Sequence, residues 1–339
     1  MKSYIMDRMF KASSGIAYGI LVTLGIGLLI ENLGVILGLP ALIAIGATTK
    51  LLMAPGIGVG IAYMLGANSL TIFSAMAAST VGAGAIKMSL DFGGYLIKTG
   101  EPIGALLAAT LATYIGRRIS GRTQLDMMIV PLFSILIAGL FGLWLSARIA
   151  PLLATIGSWI TEITAVSPFL SSIVIAVVWG ILILSPASST ALAIALQLSG
   201  VTAGAALAGC AAHFVGLAVI SARENNMGVI LAQAICTPKI QLPNITRNIM
   251  IVVPTLTASA VAGPVSTFIF GIEIGKEYAG LGISSLVAPI HLLTKYNPSQ
   301  IIPAMLVTYV LIPAVVSYAV YWVLSRRGLI RPGDLKITT

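Results

Sequence analysis

Charged side chains are scarce in this sequence. Its 339 residues include 19 lysines and arginines and 10 aspartates and glutamates, whereas 58% of the residues are apolar. A soluble domain of this length needs more charge to cover its surface, so a soluble globular fold is excluded. A hydrocarbon core roughly 30 Å thick takes about 20 apolar residues per helical crossing, and the apolar stretches predict an all-α polytopic membrane protein with about eight to ten transmembrane helices.

Cysteines are few in this sequence, and known catalytic motifs are missing. The two cysteines, Cys210 and Cys236, lie in apolar surroundings without the spacing of metal ligands, so neither a disulfide framework nor a metal site is predicted. The sequence has no P-loop, dinucleotide fingerprint, HExxH or nucleophile elbow in a suitable context. We therefore expect a protein that is not an enzyme and that has no cofactor.

Basic residues occur in short clusters between the apolar runs. The clusters are Lys2, Arg8 and Lys11; Arg117, Arg118 and Arg122; and Arg326, Arg327 and Arg331. This distribution is typical of cytoplasmic loops rather than of nucleic-acid binding. It predicts a multi-pass protein of the bacterial inner (cytoplasmic) membrane with both termini in the cytoplasm. The apolar run 15–30 is expected to be the first crossing, because no small-x-small cleavage site of a signal peptide follows it.

The apolar segments differ in length and continuity. Crossings are expected near 14–38, 41–66, 69–88, 101–118, 127–149, 168–185, 201–222, 248–270 and 301–325. Shorter pieces, interrupted by proline and polar residues, lie at 151–165, 186–200, 227–247 and 281–299. Irregular backbone at membrane depth is tolerated only where protein or a water-filled cavity satisfies its polar groups, so these pieces are candidates for re-entrant hairpins around a solute site. We expect one transmembrane domain over 1–325 and a short cytoplasmic tail at 326–339.

The clearest interruption is the polar stretch from Cys236 to Asn248. An ionisable group placed in the middle of a membrane costs roughly 2.5 to 3.5 kcal/mol, so Lys239, which lies between two prolines of this stretch, needs a partner or a cavity. Its ammonium group is expected to bind an anionic group of a solute. Thr237, Gln241, Asn244 and Asn248 are expected to add hydrogen bonds. The alternative is a loop lysine in cytoplasmic water.

Three other places carry polar or ionisable groups. Ser188 and Ser189 follow the end of an apolar helix, where a half-helix would direct its N–H groups at an anion, or where the hydroxyls would bond to their own backbone. Glu101 opens an apolar helix and is expected to cap it. His213 lies in an alanine-rich apolar run, where a hydrogen-bonded packing role is favoured over a proton relay.

Several short motifs follow one another in a characteristic order. They are Pro55 to Tyr63 (Pro-Gly-Ile-Gly-Val-Gly-Ile-Ala-Tyr), Gly104 to Gly116, Val130 to Gly139 (Val-Pro-Leu-Phe-Ser-Ile-Leu-Ile-Ala-Gly), Pro238 to Pro243, Val253-Pro254, and Ser259 to Gly263. In kind and spacing they resemble the membrane-spanning IIC subunit of the bacterial sugar phosphotransferase system, most closely its fructose-type branch. The resemblance covers most of the chain. It implies a homodimeric permease in which re-entrant hairpins surround the substrate site of each protomer.

The departures from this family pattern fall inside the expected site. The family's glutamate corresponds to Lys239, an aspartate corresponds to Asn248, and the histidine of a later Pro-His-Gly-Gly element corresponds to Tyr278. The resemblance therefore implies that Lys239, Pro243 and Asn248 lie in the site, but it does not imply fructose. Small stand-alone members, including a perfringolysin-regulator-like branch, lack fused IIA and IIB domains, as this chain does, so phosphorylation-coupled uptake would require separate soluble IIA and IIB phosphocarriers.

Three functions are compatible with these features. The leading prediction is a permease, embedded in membrane lipid, that binds and translocates a small polar or anionic solute, sugar-like or a carboxylate, by alternating access. A membrane sensor or regulator that keeps the transporter scaffold without transport is the second. An ion-coupled secondary transporter is the third.

Overall fold

A computed structural model describes residues 2–89, 94–185 and 188–337. Most of these residues are helical. Among the described residues, five helical segments are long and apolar enough to cross a membrane, or six if the bent pair of helices at 40–64 counts as one span. The five are Lys11–Leu37, Asp126–Thr164, Gly200–Ser221, Ile249–Ile269 and Pro298–Arg326. The predicted fold class is confirmed, while the count of eight to ten crossings stays a prediction.

The chain forms two compact units. The first consists of Met1–Ile156 and Ile194–Leu196, and the second consists of Gly157–Ala193 and Gln197–Thr339. Residues 327–337, which follow the last helix, belong to the second unit. That residues 1–325 act as one transmembrane domain remains a prediction.

The first unit contains six α-helices, one short antiparallel β-pair and the first part of a seventh helix. The helices are α1 (Lys2–Ile20), α2 (Ile26–Leu37), α3 (Pro40–Leu51), α4 (Met53–Met64), α5 (Ser69–Gly82), α6 (Pro102–Ile119) and α7 (Asp126–Val166), and a π-helical turn, Leu21–Gly25, joins α1 to α2. Strand β1 (Ile86–Ser89) pairs with β2 (Gly94–Ile97), with Ile86 opposite Ile97. The prediction of a crossing over 69–88 is therefore wrong, because the helix there ends at Gly82 and β1 follows it.

Small residues let α1 and α4 approach closely. A Cβ atom on Gly60 would lie 2.2 Å from the carbonyl oxygen of Gly15, and one on Gly19 would lie 2.6 Å from that of Gly56. Contacts of this kind are typical of membrane helices, where tight packing replaces hydrophobic burial as the source of association. At the start of α6, the Glu101 carboxylate accepts hydrogen bonds from the backbone N–H groups of Ile103 (2.8 Å) and Gly104 (2.6 Å). This confirms the capping role predicted for Glu101.

The described residues of the second unit contain the rest of α7 and ten further helices, of which α9 ends in residues of the first unit. They are α8 (Pro168–Leu184), α9 (Ser189–Ala195), α10 (Gly200–Ser221), α11 (Met227–Leu231), α12 (Leu242–Arg247), α13 (Val252–Pro264), α14 (Lys276–Ala279), α15 (Val287–Lys295), α16 (Pro298–Met305) and α17 (Ile312–Arg326). π-Helical turns occupy Ala232–Cys236, Val265–Ile269 and Leu306–Leu311, and 3₁₀ turns occupy Pro238–Gln241, Ile249–Ile251 and Ser284–Leu286.

Helix α10 forms the core of the second unit, packed against α8, α13 and α17. A Cβ atom on Gly209 would lie 2.0 Å from the carbonyl oxygen of Ala176, which shows how closely α8 approaches α10. His213 is fully buried, and its Nδ1 lies 3.1 Å from the carbonyl oxygen of Gly209 and 3.3 Å from Oγ of Ser259. These contacts fit the packing role favoured by the sequence.

The expected interruptions agree with the structure at three of four places. The segments near 186–200, 227–247 and 281–299 are broken into short helices and turns. The prediction for 151–165 is wrong, because α7 continues through Pro151 to Val166. A proline removes one hydrogen bond of a helix but need not end it, since neighbouring groups in a membrane bundle satisfy the freed carbonyl.

Candidate functional site

Three interrupted segments of the second unit meet beside α10. The Ser189 hydroxyl at the start of α9 donates a hydrogen bond of 2.8 Å to the carbonyl oxygen of Gly280, and the Ser284 hydroxyl donates one of 3.1 Å to that of Cys236. We call the region formed by Ser189, Cys236, Gly280 and Ser284 the polar junction. Since unpaired backbone groups are costly away from water, these hydroxyls stabilise carbonyls at the ends of broken helices.

Glycines allow the segments of the junction to come this close. A Cβ atom on Gly280 would lie 2.4 Å from the carbonyl carbon of Ser189. Gly282 has a φ of +58° in the left-handed region, and a Cβ atom there would lie 2.6 Å from the Phe214 ring of α10. The junction therefore requires residues without side chains at both positions.

Lys239 lies next to this junction, in the 3₁₀ turn Pro238–Gln241, which packs against α8 and α10. Thr237 caps the turn, with its hydroxyl accepting a hydrogen bond of 3.2 Å from the backbone N–H of Lys239. Lys239 is partly buried where this turn packs against the two helices. On α10, the buried Cys210 thiol donates a hydrogen bond of 3.5 Å to the carbonyl oxygen of Trp179 on α8.

Tyr278 and the two serines lie on the other segments of the same region. Tyr278 is 7% exposed, and its ring stacks on that of His291 with centroids 4.0 Å apart and planes at 11°. It belongs to α14, which packs against α10 and is followed directly by the turn that contains Gly280. The Ser188 hydroxyl accepts a hydrogen bond of 3.2 Å from the Ala191 N–H and so caps α9. Pro186 and Ala187, within the polar stretch expected at Ser185 to Thr190, lie outside the described residues.

The amides expected in the site bind the end of the chain. Asn244 Nδ2 donates to the Lys336 carbonyl at 3.0 Å and to Gln241 Oε1 at 2.8 Å, and Gln241 Nε2 donates to the Leu335 carbonyl at 3.0 Å. Asn248 Nδ2 donates to the Leu329 carbonyl at 2.9 Å and to Asp334 Oδ2 at 2.8 Å. The side chain of Pro243, between them, is exposed. These three amides therefore bind residues 329–336, whereas Lys239 lies in the turn that packs against α8 and α10.

Residues 327–337, which we call the C-terminal tail, are packed rather than extended into solvent. Ile330 and Leu335 are 1% and 0% exposed. The backbone N–H of Leu335 donates to Glu224 Oε2 at 3.0 Å, and that of Ile337 donates to Asn225 Oδ1 at 2.8 Å. The tail thus holds the α10–α11 connection and the segment 241–248 together.

Asp334 organises the tail itself. Its carboxylate accepts hydrogen bonds from the backbone N–H of Arg331, at 2.8 Å, and from the Asn248 amide. These donors, together with the nearby Arg331 charge, lower the pKa of Asp334 below its usual value of 3.8, because they stabilise the charged form. Sequence reasoning missed this arrangement, although the apolar residues of the tail, Ile330 and Leu335 among them, were a signal of burial.

A separate feature is an open groove in the first unit. It has a volume of about 420 Å³ and is lined by apolar and small residues of α1, the π-helical turn after it, α4 and α5, including Tyr18, Pro55 and Met76.

Within the described residues, no group of three or more His, Cys, Asp or Glu side chains could hold a metal ion.

Comparison with known families agrees with the motif order. The sequence model of the family described as "Phosphotransferase system, EIIC" matches residues 10–337. Comparisons with curated proteins and with solved structures gave no match. The family match extends over nearly the whole chain, and the long apolar helices are those of a polytopic membrane protein. The resemblance seen in the sequence is thereby confirmed: the chain belongs to the phosphotransferase system EIIC family and is a multi-pass membrane protein.

Proposed function

We propose that this protein is a permease that binds a small polar or anionic solute next to Lys239 and translocates it by alternating access. The observation that carries the proposal is the position of the lysine: it is partly buried in a turn that packs against α8 and α10, next to the place where interrupted helices meet. Broken helices of this kind form the binding sites of many transporters. A cation replaces the carboxylate of the family pattern at this position, which favours a solute that carries negative charge.

The groups around Lys239 suit such a solute. Charge-assisted hydrogen bonds from an ammonium group to a carboxylate or phosphate are roughly twice as strong as neutral ones, and they are stronger still where water is scarce. Thr237, Ser188, Ser189 and Tyr278 supply hydroxyl groups on the three segments that meet there. We assign a supporting role to Gln241, Asn244 and Asn248, which hold the segment in place through the C-terminal tail, and to Pro243, which belongs to the first turn of α12.

A thermal-shift screen of sugars, sugar phosphates and small carboxylates on detergent-purified protein tests this assignment. We expect an anionic compound to raise the unfolding midpoint of the wild type. In Lys239→Gln the affinity should fall by about 10- to 100-fold, because a hydrogen bond to a charged group contributes about 1.5–3 kcal/mol. Lys239→Arg should retain part of it. Arg247→Gln removes an exposed cation from the same segment and serves as the matched control. Unchanged binding by a folded Lys239→Gln protein would remove Lys239 from the site.

We further propose that the protein acts as a homodimer and depends on separate soluble IIA and IIB phosphocarriers for uptake coupled to phosphorylation. Both features are implied by the family resemblance, and family membership supports the proposal. Analytical ultracentrifugation in detergent tests the dimer. Uptake into vesicles, with and without added phosphocarriers and phosphoenolpyruvate, tests the coupling. Flux driven by a proton or sodium gradient alone would instead indicate an ion-coupled transporter.

A sensor that binds solute without transport is the second candidate. It is favoured by Lys239 and Tyr278, which occupy the positions of the family's glutamate and histidine, and by Asn248, whose amide binds the tail. Reconstituted liposomes distinguish the two functions. Solute flux supports the permease, whereas ligand-dependent stabilisation without flux in any driving condition supports the sensor.

A further inference from the structure

One exposed face of α17 is largely apolar and ends in an arginine. Val315, Tyr318 and Trp322 are 65%, 42% and 47% exposed, and Arg326, one turn after Trp322, is also exposed. Residues three and four positions apart lie on the same face of a helix, so these four side chains form one row, which we call the α17 row. Since α17 belongs to a span that is long and apolar enough to cross a membrane, the apolar part of the row is suited to contact with acyl chains.

The opposite face of α17 is fixed against other helices of the second unit. Pro313 and Ser317 are buried, and α17 packs against α10 and α13. The Ser317 hydroxyl donates a hydrogen bond of 3.5 Å to the carbonyl oxygen of Pro254 on α13. A Cβ atom on Gly216 of α10 would lie 2.4 Å from the same hydroxyl oxygen. This close packing sets the rotation of α17 about its axis and keeps the row on the outside.

The end of the row combines an aromatic ring with two cations, Arg326 and Arg327, which we call the arginine pair. The guanidinium carbon of Arg326 lies 4.0 Å from the centroid of the Trp322 ring, and the exposed Arg327 follows directly. Tryptophan is enriched at the level of the lipid headgroups, and a cation over its face is attracted by the ring. The end of a helix carries only about half of a negative charge, which does not neutralise two guanidinium groups. Within the described part of the chain, neither arginine forms a salt bridge with a carboxylate.

The nearest acidic group along the chain has other partners. Between Arg327 and Ile337 the sequence contains one carboxylate, that of Asp334. It accepts hydrogen bonds from the backbone N–H of Arg331 and from the Asn248 amide, and it lies near the Arg331 charge. Asp334 is therefore balanced by Arg331, and the arginine pair keeps its net positive charge.

We propose that the arginine pair binds the phosphate of an anionic phospholipid whose acyl chain lies along the α17 row. Guanidinium N–H groups donate charge-assisted hydrogen bonds to phosphate oxygens, and their planar arrangement matches those oxygens. Each cation at the membrane surface also attracts anionic lipid through its charge. The row adds a contact that requires an acyl chain. A free phosphate or an acidic protein surface has no such chain, so a cation pair at the end of an apolar row favours a lipid.

The test is lipid-dependent thermal unfolding of the full chain in a neutral detergent, with phosphatidylglycerol or the zwitterionic phosphatidylcholine added. We expect phosphatidylglycerol to raise the unfolding midpoint of the wild type and phosphatidylcholine to leave it unchanged, because a ligand that binds only the folded state stabilises it. Arg326→Gln and Arg327→Gln should each weaken phosphatidylglycerol binding by about fivefold, and the double variant should weaken it by about 25-fold.

A matched variant separates a site from general attraction between charges. Arg223→Gln removes the same charge from an exposed arginine of the same unit, whose neighbour in the chain is Glu224. This variant should keep the wild-type affinity for phosphatidylglycerol. An equal loss of affinity in Arg223→Gln and in the arginine-pair variants would reduce the effect to the net charge of the protein and overturn the site.

Two other results would also overturn the proposal. One is a full phosphatidylglycerol increment in the double glutamine variant. The other is an equal increment with inorganic phosphate or with polyglutamate at the same concentration, which would assign the arginines to a free anion or to an acidic protein surface. Should the double variant fail to fold, native mass spectrometry of the two single variants counts bound phosphatidylglycerol directly, and occupancy equal to that of Arg223→Gln in both would likewise contradict the site.

Discussion

Residues 237–239 and 241–248 are adjacent in the sequence and similar in polarity, but they have different partners. The first group belongs to a turn that packs against α8 and α10, where Lys239 is partly buried. The second group donates its amide hydrogen bonds to carbonyls of the C-terminal tail. The difference shows that a polar stretch in a membrane protein is not a site as a whole. One part of it can contact the solute while the other part maintains the position of the first.

Removing the C-terminal tail is the change with the largest expected effect. Truncation after Gly328 exposes the surfaces covered by Ile330 and Leu335 and leaves the amides of the segment 241–248 without these partners. We expect the free energy of unfolding to fall by about 3–6 kcal/mol, because burying an aliphatic side chain contributes about 1.5–3 kcal/mol. Thermal unfolding in detergent measures the loss. The control Lys336→Ala changes an exposed tail side chain and should stay within about 0.5 kcal/mol of wild type. A truncated protein with the wild-type midpoint would show that the tail contributes no stability.

Two glycines with the same left-handed backbone conformation test the packing of the polar junction. Gly282 and Gly271 have φ values of +58° and +61°, but a Cβ atom on Gly271 would meet nothing within 4 Å. Both alanine variants bear the strain of a left-handed residue, about 1–2 kcal/mol. Only Gly282→Ala adds a collision with Phe214, which should cost about 1–3 kcal/mol more and reduce solute binding. Equal unfolding midpoints for the two variants would mean that the residues around Phe214 rearrange at little cost in free energy.

The smallest effect concerns the pH dependence of the tail. Because the pKa of Asp334 is lowered in the folded protein, this carboxylate contributes stability above its unfolded pKa, and the contribution disappears as the pH falls through the folded value. The difference in unfolding midpoint between wild type and Asp334→Asn should therefore be present at neutral pH and disappear as the pH falls well below 3.8. Comparison of the two proteins at each pH separates the contribution of Asp334 from that of the other ionisable groups. A difference that stays constant down to that pH would contradict the role of the charge.

Much of the helical organisation could be predicted from the sequence, for a physical reason. Apolar runs must cross lipid as helices, and clusters of proline with polar residues interrupt them, as they do in the segment that contains Lys239. The errors arose where the same signals are ambiguous. Pro151 lies within a continuous helix, and the apolar residues after Gly82 form a β-pair instead of extending a crossing. A local pattern does not reveal which neighbouring groups will satisfy the freed backbone.

The sequence by itself determined the membrane environment, the family and the presence of a broken polar segment, because charge content and motif order are properties of the chain that need no contacts. Only the tertiary structure decided which polar groups face which partners. The amides of Gln241, Asn244 and Asn248 find their acceptors about 80 to 95 residues away along the chain, and the turn that contains Lys239 packs against α8 and α10. Hydrogen bonds between such distant residues depend on how the helices pack, and for that reason no local pattern contained them.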